Sequence, residues 1–231
     1  ASDYKKNIVT TWDNINKRQQ AAVGNLYDFG KVLAEKMQQE AQNHAQYSYI
    51  HRVEPYYLSP LDKDKKSTAF TLAKKTDAQF VLFGEILEFA VETSKTSSMA
   101  FWKSDQSRRN LSLSFSMYDG NSGEMVFQNT QDISPLWDFD PFKFIDSNSR
   151  QLWDSTFGLA TQDVIQSLVQ QIDESVSCLP AFGRVLNVTG ERLIINIGKH
   201  NGPGRARAHL NGADRLIAWT SQRESPCPIQ G

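Results

Sequence analysis

Between positions 137 and 146 the chain reads Trp-Asp-Phe-Asp-Pro-Phe-Lys-Phe-Ile-Asp, where its side chains come nearest to a recognisable chemistry. Asp138, Asp140 and Asp146 stand among Trp137, Phe139, Phe142 and Phe144, and paired carboxylates beside aromatic platforms are the equipment of a glycoside hydrolase. That chemistry also needs a second acid held across the substrate, and no motif supplies one. The competing reading is a surface loop pinned by its aromatics. Ser122 and Ser155 lack the strand-turn-helix setting of an activated nucleophile. His44, His51, His200 and His209 show neither His-x-x-x-His nor His-Glu-x-x-His spacing, and Cys178 and Cys227 are too far apart in sequence for half of a local zinc site. No phosphate-binding glycine motif follows the first strand, since Gly24 and Gly30 fall inside or at the start of a helical pattern. We therefore expect no catalytic residue, no cofactor and no metal.

Binding is the better-supported kind of work. Positions 93 to 109 join two strand candidates through Met99-Ala100-Phe101-Trp102 set among serines, lysines and arginines. A connection of that length is uncommon without a function, and aromatic anchors with a polar surround resemble an interface core. The alternative is that Phe101 and Trp102 fold back onto the sheet edge. Met99, Phe101, Trp102, Trp137, Phe139, Phe142 and Phe144 are thus the candidate protein-contact residues.

Composition narrows the partners. The 231 residues are 39% hydrophobic and 22% charged with a formal net charge of -1, and the short basic runs are interleaved with acids. That is a solvated surface, not the basic face of a nucleic-acid binder. No apolar run approaches the roughly 20 residues that span a bilayer, and Ala1-Ser2-Asp3 reads as a processed or trimmed start. Cys178 and Cys227 permit at most one bridge, and we expect none. The sequons at Asn110 and Asn187 fall on strand candidates and carry no weight.

Periodicity supplies the elements that must position these residues. Lys5 to Trp12 make a short first strand, β-branched from Ile8 to Thr11, and Val23, Leu26, Phe29, Val32, Leu33 and Met37 recur at helical spacing. Tyr47 to Val53 is a second strand and Ser67 to Lys75 a second helix; Asp77-Ala78 turns the chain into a very apolar strand over 79 to 91. Leu111, Leu113, Phe115 and Met117 alternate with Ser112, Ser114 and Ser116, and Met125 to Asp132 returns after the turn Asp119-Gly-Asn-Ser-Gly123, giving a meander with one wet face. Ser149 to Cys178 is a single long helix with Leu152, Thr156, Leu159, Val164, Ile165, Leu168, Val169, Ile172 and Val176 on its apolar stripe, stopped by Pro180. The fold class is α/β, a mixed sheet with helices packed on it. Gly183 to Gly198 then reads as a β-hairpin opening a small, incomplete SH3-like module with a further turn at Gly202. Positions 203 to 231 show no strand periodicity. The expected division is 1–179, 180–202 and an irregular tail over 203–231, with the first part able to fold alone and the remainder not.

Three segments carry a family resemblance: Lys5-Lys-Asn-Ile-Val9, Gly24-Asn-Leu-Tyr-Asp-Phe-Gly-Lys-Val-Leu33 and Ala78-Gln-Phe-Val-Leu-Phe-Gly-Glu-Ile86. They resemble the N-terminal domain of TolB-like proteins. Joined to the Gly183 to Gly202 hairpin, they resemble the middle and C-terminal domains of flagellar assembly protein T over about residues 4 to 202. Two departures stand beside the likeness: the family's usual N-terminal domain is not in this sequence, and Pro203-Gly-Arg-Ala-Arg replaces the family's Gly-Val-x-x-Gly-Asp continuation. The resemblance implies a non-enzymatic periplasmic protein of the H ring of the flagellar basal body. It implies basal-body ring proteins, motor-associated periplasmic proteins and further copies of itself as partners. The alternatives are an envelope domain that binds a ligand through the 137–144 loop, and a carbohydrate-acting enzyme.

Overall fold

The computed structural model describes residues 5–13, 26, 28–53, 64–94, 106–140, 143–177, 179, 181–189, 192–195, 207–211 and 216–220. In order these form β1 (Lys6–Asp13), α1 (Phe29–His44), β2 (Ser48–Arg52), α2 (Lys65–Thr76), β3 (Phe80–Ser94), β4 (Gln106–Asp119), β5 (Met125–Ile133), α3 (Arg150–Trp153) and α4 (Thr156–Ser177). Four further strands follow, β6 (Ala181–Thr189), β7 (Arg192–Ile195), β8 (Arg207–Asn211) and β9 (Leu216–Thr220).

The first five strands make one mixed sheet in the order β2-β1-β3-β4-β5, with β1 parallel to β2 and β3, and β4 and β5 antiparallel. The chain steps outward from β1 to β2 and then back across β1 to β3. Because both crossovers take the right-handed path, steps in opposite directions put their helices on opposite faces. The core divides accordingly. Ile8, Ile50, Phe80, Leu82, Leu113 and Phe115 face the cluster supplied by α1 and α4, whereas Val9, Val81 and Phe83 on the reverse face pack with Ala69, Leu72 and Ala73 of α2.

Local signals explain the turns. Asp77 closes α2 in the left-handed region at φ 55°. The β4–β5 turn is held by Asp119, whose Oδ1 accepts from the N–H of Asn121 and of Ser122, each at 2.8 Å. Gly123 completes it at φ 68°, where a Cβ would strain the backbone.

The elements differ from expectation in three places. The first helix begins at Phe29, after Asp28 at φ 53°; Leu26 is buried ahead of it, and Val23 lies outside the described residues. The long C-terminal helix is two, α3 and α4, broken at Asp154-Ser155; Thr156 is exposed and Leu159 is 53% exposed, so neither belongs to the apolar stripe. The break arises because the Ser155 hydroxyl competes for the helix backbone, donating to the Leu152 carbonyl at 2.5 Å and accepting from the Gly158 N–H at 3.2 Å.

The third difference concerns the stretch read as an irregular tail. It contains β8 and β9, and these join the β6–β7 hairpin in a sheet ordered β7-β6-β9-β8. β6 pairs with β9 through Ala181 to Arg184 and with β7 through Val185 to Thr189, with a register shift between Val185 and Asn187. Strands of five residues such as Arg-Ala-His-Leu-Asn hold too few positions for a period of two to stand out. The order is open, since β7 and β8 do not pair with each other among the described residues.

Candidate contact surface

β1 stops accompanying β3 at the pair Asp13 and Glu85, while β3 and β4 continue together to Ser94 and Gln106. The sheet thereby narrows to a two-stranded arm, and the connection carrying Met99, Phe101 and Trp102 departs from its end. Those three residues lie outside the described residues. An isolated hairpin is marginal in water, so the arm needs support at its base.

Arg109 supplies it. Its position in β4 puts it on the same face as Leu111, Leu113, Phe115 and Met117, and it is fully buried. The guanidinium carbon sits 3.8 Å from the Phe89 ring centroid and 4.6 Å from that of Trp137, so the cation is sandwiched between two aromatic faces. Burial lowers its pKa to about 10, which leaves it charged at neutral pH. Phe89 stacks in turn on Phe29 of α1 at 5.0 Å, and Trp137 meets Phe157 of α4 edge-on at 5.4 Å. Main-chain bonds from the Arg109 N–H to the Pro135 carbonyl (3.0 Å) and from the Trp137 N–H to the Ser107 carbonyl (2.8 Å) lay residues 135–137 along the arm.

Trp137 is therefore corrected as a contact candidate. It is 6% exposed, because the bond that lays its backbone beside β4 turns its ring onto the core. Phe139 is half-buried against Trp137 at 4.9 Å. Phe144 is 56% exposed; Phe142 lies outside the described residues.

Two of the loop's carboxylates serve the backbone. Asp138 Oδ2 accepts from the Thr156 N–H at 2.9 Å and so caps α4, and Asp146 Oδ1 accepts from the Asn148 N–H at 2.9 Å in a local turn. Ser149 caps α3 through the Leu152 N–H at 3.2 Å, and the Trp153 indole donates to the Ser147 carbonyl at 2.8 Å. Both carboxylates are thus engaged with main-chain N–H groups.

A second tie lies at the far end of α4. Asp173, 7% exposed, accepts from the Gln46 N–H (2.8 Å), the Tyr47 N–H (2.9 Å) and the Ser48 hydroxyl (2.7 Å), fastening the entry of β2 to the helix. Lys5 and Lys6 close the same corner through the Ala45 carbonyl (2.7 Å) and the Ser177 carbonyl (3.3 Å). Beside it is a shallow polar cleft of about 330 Å³ lined by Glu40, His44, Tyr47, Gln170, Asp173 and Glu174. Among the described residues no cluster of His, Cys, Asp or Glu is able to hold a metal, and no helix is long and apolar enough to cross a membrane.

Arg109 and Asp173 are the two residues that sequence reading missed, although each carried a signal. Arg109 continues the alternation of Leu111 and Leu113, and Asp173 falls four residues after Val169 and three before Val176, on the apolar stripe. A charge at a core position is the mark of a paired or stacked buried group.

The exposed surface holds apolar side chains in separate places: Phe70 (51%) on α2, Leu87 (50%) on β3, Met125 (51%) on β5, Phe144 (56%) and Leu159 (53%). On β2, Tyr49 is 37% exposed and packs against His51 with ring centroids 4.5 Å apart. Burial lowers the pKa of His51 below the ordinary histidine value of 6.5.

No curated protein matches the chain. Among solved structures it is similar to the hypothetical protein CT253 from Chlamydia trachomatis, with 14% identity and a TM-score of 0.46 over 74% of this chain and 98% of that one. It is also similar to protein XCC0632 from Xanthomonas campestris, with 8% identity and a TM-score of 0.44 over 75% and 85% of the two chains. Lipoprotein GNA1162 from Neisseria meningitidis gives 11% identity and a TM-score of 0.38 over 72% and 97%. The sequence pattern described as "Flagellar assembly protein T, middle domain" matches residues 1–147, which take in the whole five-stranded sheet and the arm with its clamp. The chain belongs to the flagellar assembly protein T family, through that family's middle domain, and its role is in flagellar assembly.

Proposed function

We propose that the chain is a non-catalytic structural subunit of the flagellar basal body that stabilises the periplasmic H ring by binding ring components and further copies of itself. The observation that carries this reading is the match of the flagellar assembly family to residues 1–147. The site chemistry agrees with it. Asp138 and Asp146 hold helix and turn N–H groups, and Arg109 braces an arm that carries the connection 95–105. Such a device positions a contact loop and performs no reaction. Affinity in a ring would come from many repeated interfaces, each contributing about 25 cal/mol per Å² of apolar burial before the costs of association.

The test is to complement a strain lacking this protein with the wild type and with Phe101→Ser/Trp102→Ser, then to measure swimming and the ring density of purified basal bodies. The double variant should melt as the parent does and fail to restore ring density. Full restoration by a correctly folded variant would sink the contact role of that loop. Normal rings in the uncomplemented strain would sink the structural role altogether.

A further inference from the structure

The outer strands of the five-stranded sheet, β2 and β5, each leave one side of the main chain without a strand against it among the described residues. Natural edge strands are usually blunted by proline, lysine, a bulge or a short length. β5 runs nine residues, Met-Val-Phe-Gln-Asn-Thr-Gln-Asp-Ile, with no proline, glycine or lysine; its register shift lies at its start, at Val126, and Phe127 to Ile133 pair regularly with β4. β2, Ser-Tyr-Ile-His-Arg, has none either.

The two edges also match in direction and side-chain chemistry. β5 is antiparallel to β4, β4 is antiparallel to β3, and β3, β1 and β2 are parallel, so β5 and β2 point the same way. A copy set beside another in the same orientation offers its β2 to the neighbour's β5 as a parallel strand. On the face that includes Ser112, Ser114 and Ser116, β5 presents Gln128, Thr130 and Asp132. The corresponding face of β2 presents Tyr49 and His51, since Ile50 points into the core. Thr130 then falls beside the exposed Tyr49 ring and Asp132 beside the His51 imidazole, while Arg52 lies on the other face, paired with Glu35 of α1. A β-branched residue meets an aromatic, a carboxylate meets an imidazole at one end, and no like charges are opposed.

We propose that copies of this chain join edge to edge, β5 of one copy pairing in parallel with β2 of the next, so that the sheets run on from subunit to subunit. The proposal rests on the ring reading above and deepens it by naming the self-contact. Because the two edges are different surfaces, the contact is heterologous, which is the kind that generates rings.

The experiment uses the full chain assembled on basal bodies in cells, with Cys178→Ser and Cys227→Ser as background. Tyr49→Cys combined with Thr130→Cys should yield, with a short thiol crosslinker, a ladder running past the dimer, while neither single variant crosslinks. An incorporated double variant that gives no ladder would overturn the proposal while leaving the ring reading intact, whereas absence of the background protein itself from purified basal bodies would sink the ring reading. A dimer from Thr130→Cys alone would overturn it in favour of a symmetric β5–β5 contact. As a second arm, Thr130→Lys places an edge lysine at an exposed position. It should leave the melting temperature unchanged and abolish incorporation; incorporation at the parental level would count against the edge pairing.

Discussion

At the scale of single residues, Arg109 carries the strongest structural statement, because a fully buried cation survives only where something replaces its water. Here the replacement is two aromatic faces at 3.8 and 4.6 Å. Arg109→Ala would leave Phe89 and Trp137 facing a void, and we predict a loss of about 2–4 kcal/mol in urea unfolding, a cost typical of emptied core sites. Arg109→Lys should fall between the two, since an ammonium keeps the charge but not the flat stacking surface. Equal stability of the alanine variant and the wild type would show that the sandwich contributes nothing. His51 gives a second prediction, in pH. Its pKa is lowered by burial, so the unfolded chain takes up its proton first as pH falls. The corresponding stability is present above about pH 6.5 and is lost as pH drops toward the folded value. Melting temperature should therefore decline between pH 7.5 and 5, and His51→Gln should reduce that decline; an unchanged slope in the variant would assign the effect to other groups.

At the scale of elements, the joints between helices and strands were the least legible part of the sequence. Strand positions followed from alternation: Leu111 to Met117 is buried on one side and serine on the other, as its pattern states, and β3 follows from its run of large apolar residues. The α3–α4 break was hidden because apolar spacing continues across it from Leu152 to Phe157, and only Ser155 and Gly158 mark the interruption. A Cβ on Gly158 would lie 2.2 Å from the Leu152 carbonyl oxygen and 2.5 Å from the Trp153 Cα. Both are backbone atoms that cannot swing aside, so Gly158→Ala should destabilise by about 1–3 kcal/mol despite alanine's higher helix propensity. A stabilised variant in chemical denaturation would mean the two helices can merge. Asp173 makes the corresponding joint between α4 and β2. Asn in its place keeps one acceptor oxygen for three donors, and we predict a loss of about 2–4 kcal/mol for Asp173→Asn by the same measurement; a shift under about 0.5 kcal/mol would show that water satisfies those donors equally well.

At the scale of the whole molecule, the sequence revealed the α/β sheet and the β6–β7 hairpin but not the two further strands of the hairpin's sheet. The reason is physical: β8 and β9 are five residues each, and their pairing is made by main-chain groups that leave no trace in composition. Among the described residues the strands of the second sheet pair only with one another. The first sheet, by contrast, owns both of its cores, with α1 and α4 on one face and α2 on the other, and among the described residues Leu179 is the last one packed against either. Residues 1–179 should consequently fold alone. The truncated chain is expected to unfold in one cooperative thermal transition, and to melt within a few degrees of the full chain, since a change of 1 kcal/mol moves the midpoint of a domain this size by about 2–4 °C. Circular dichroism melting decides it. A broad, non-cooperative transition in the truncated chain would mean that the β6–β9 sheet closes part of the first core and that the boundary after residue 179 does not exist.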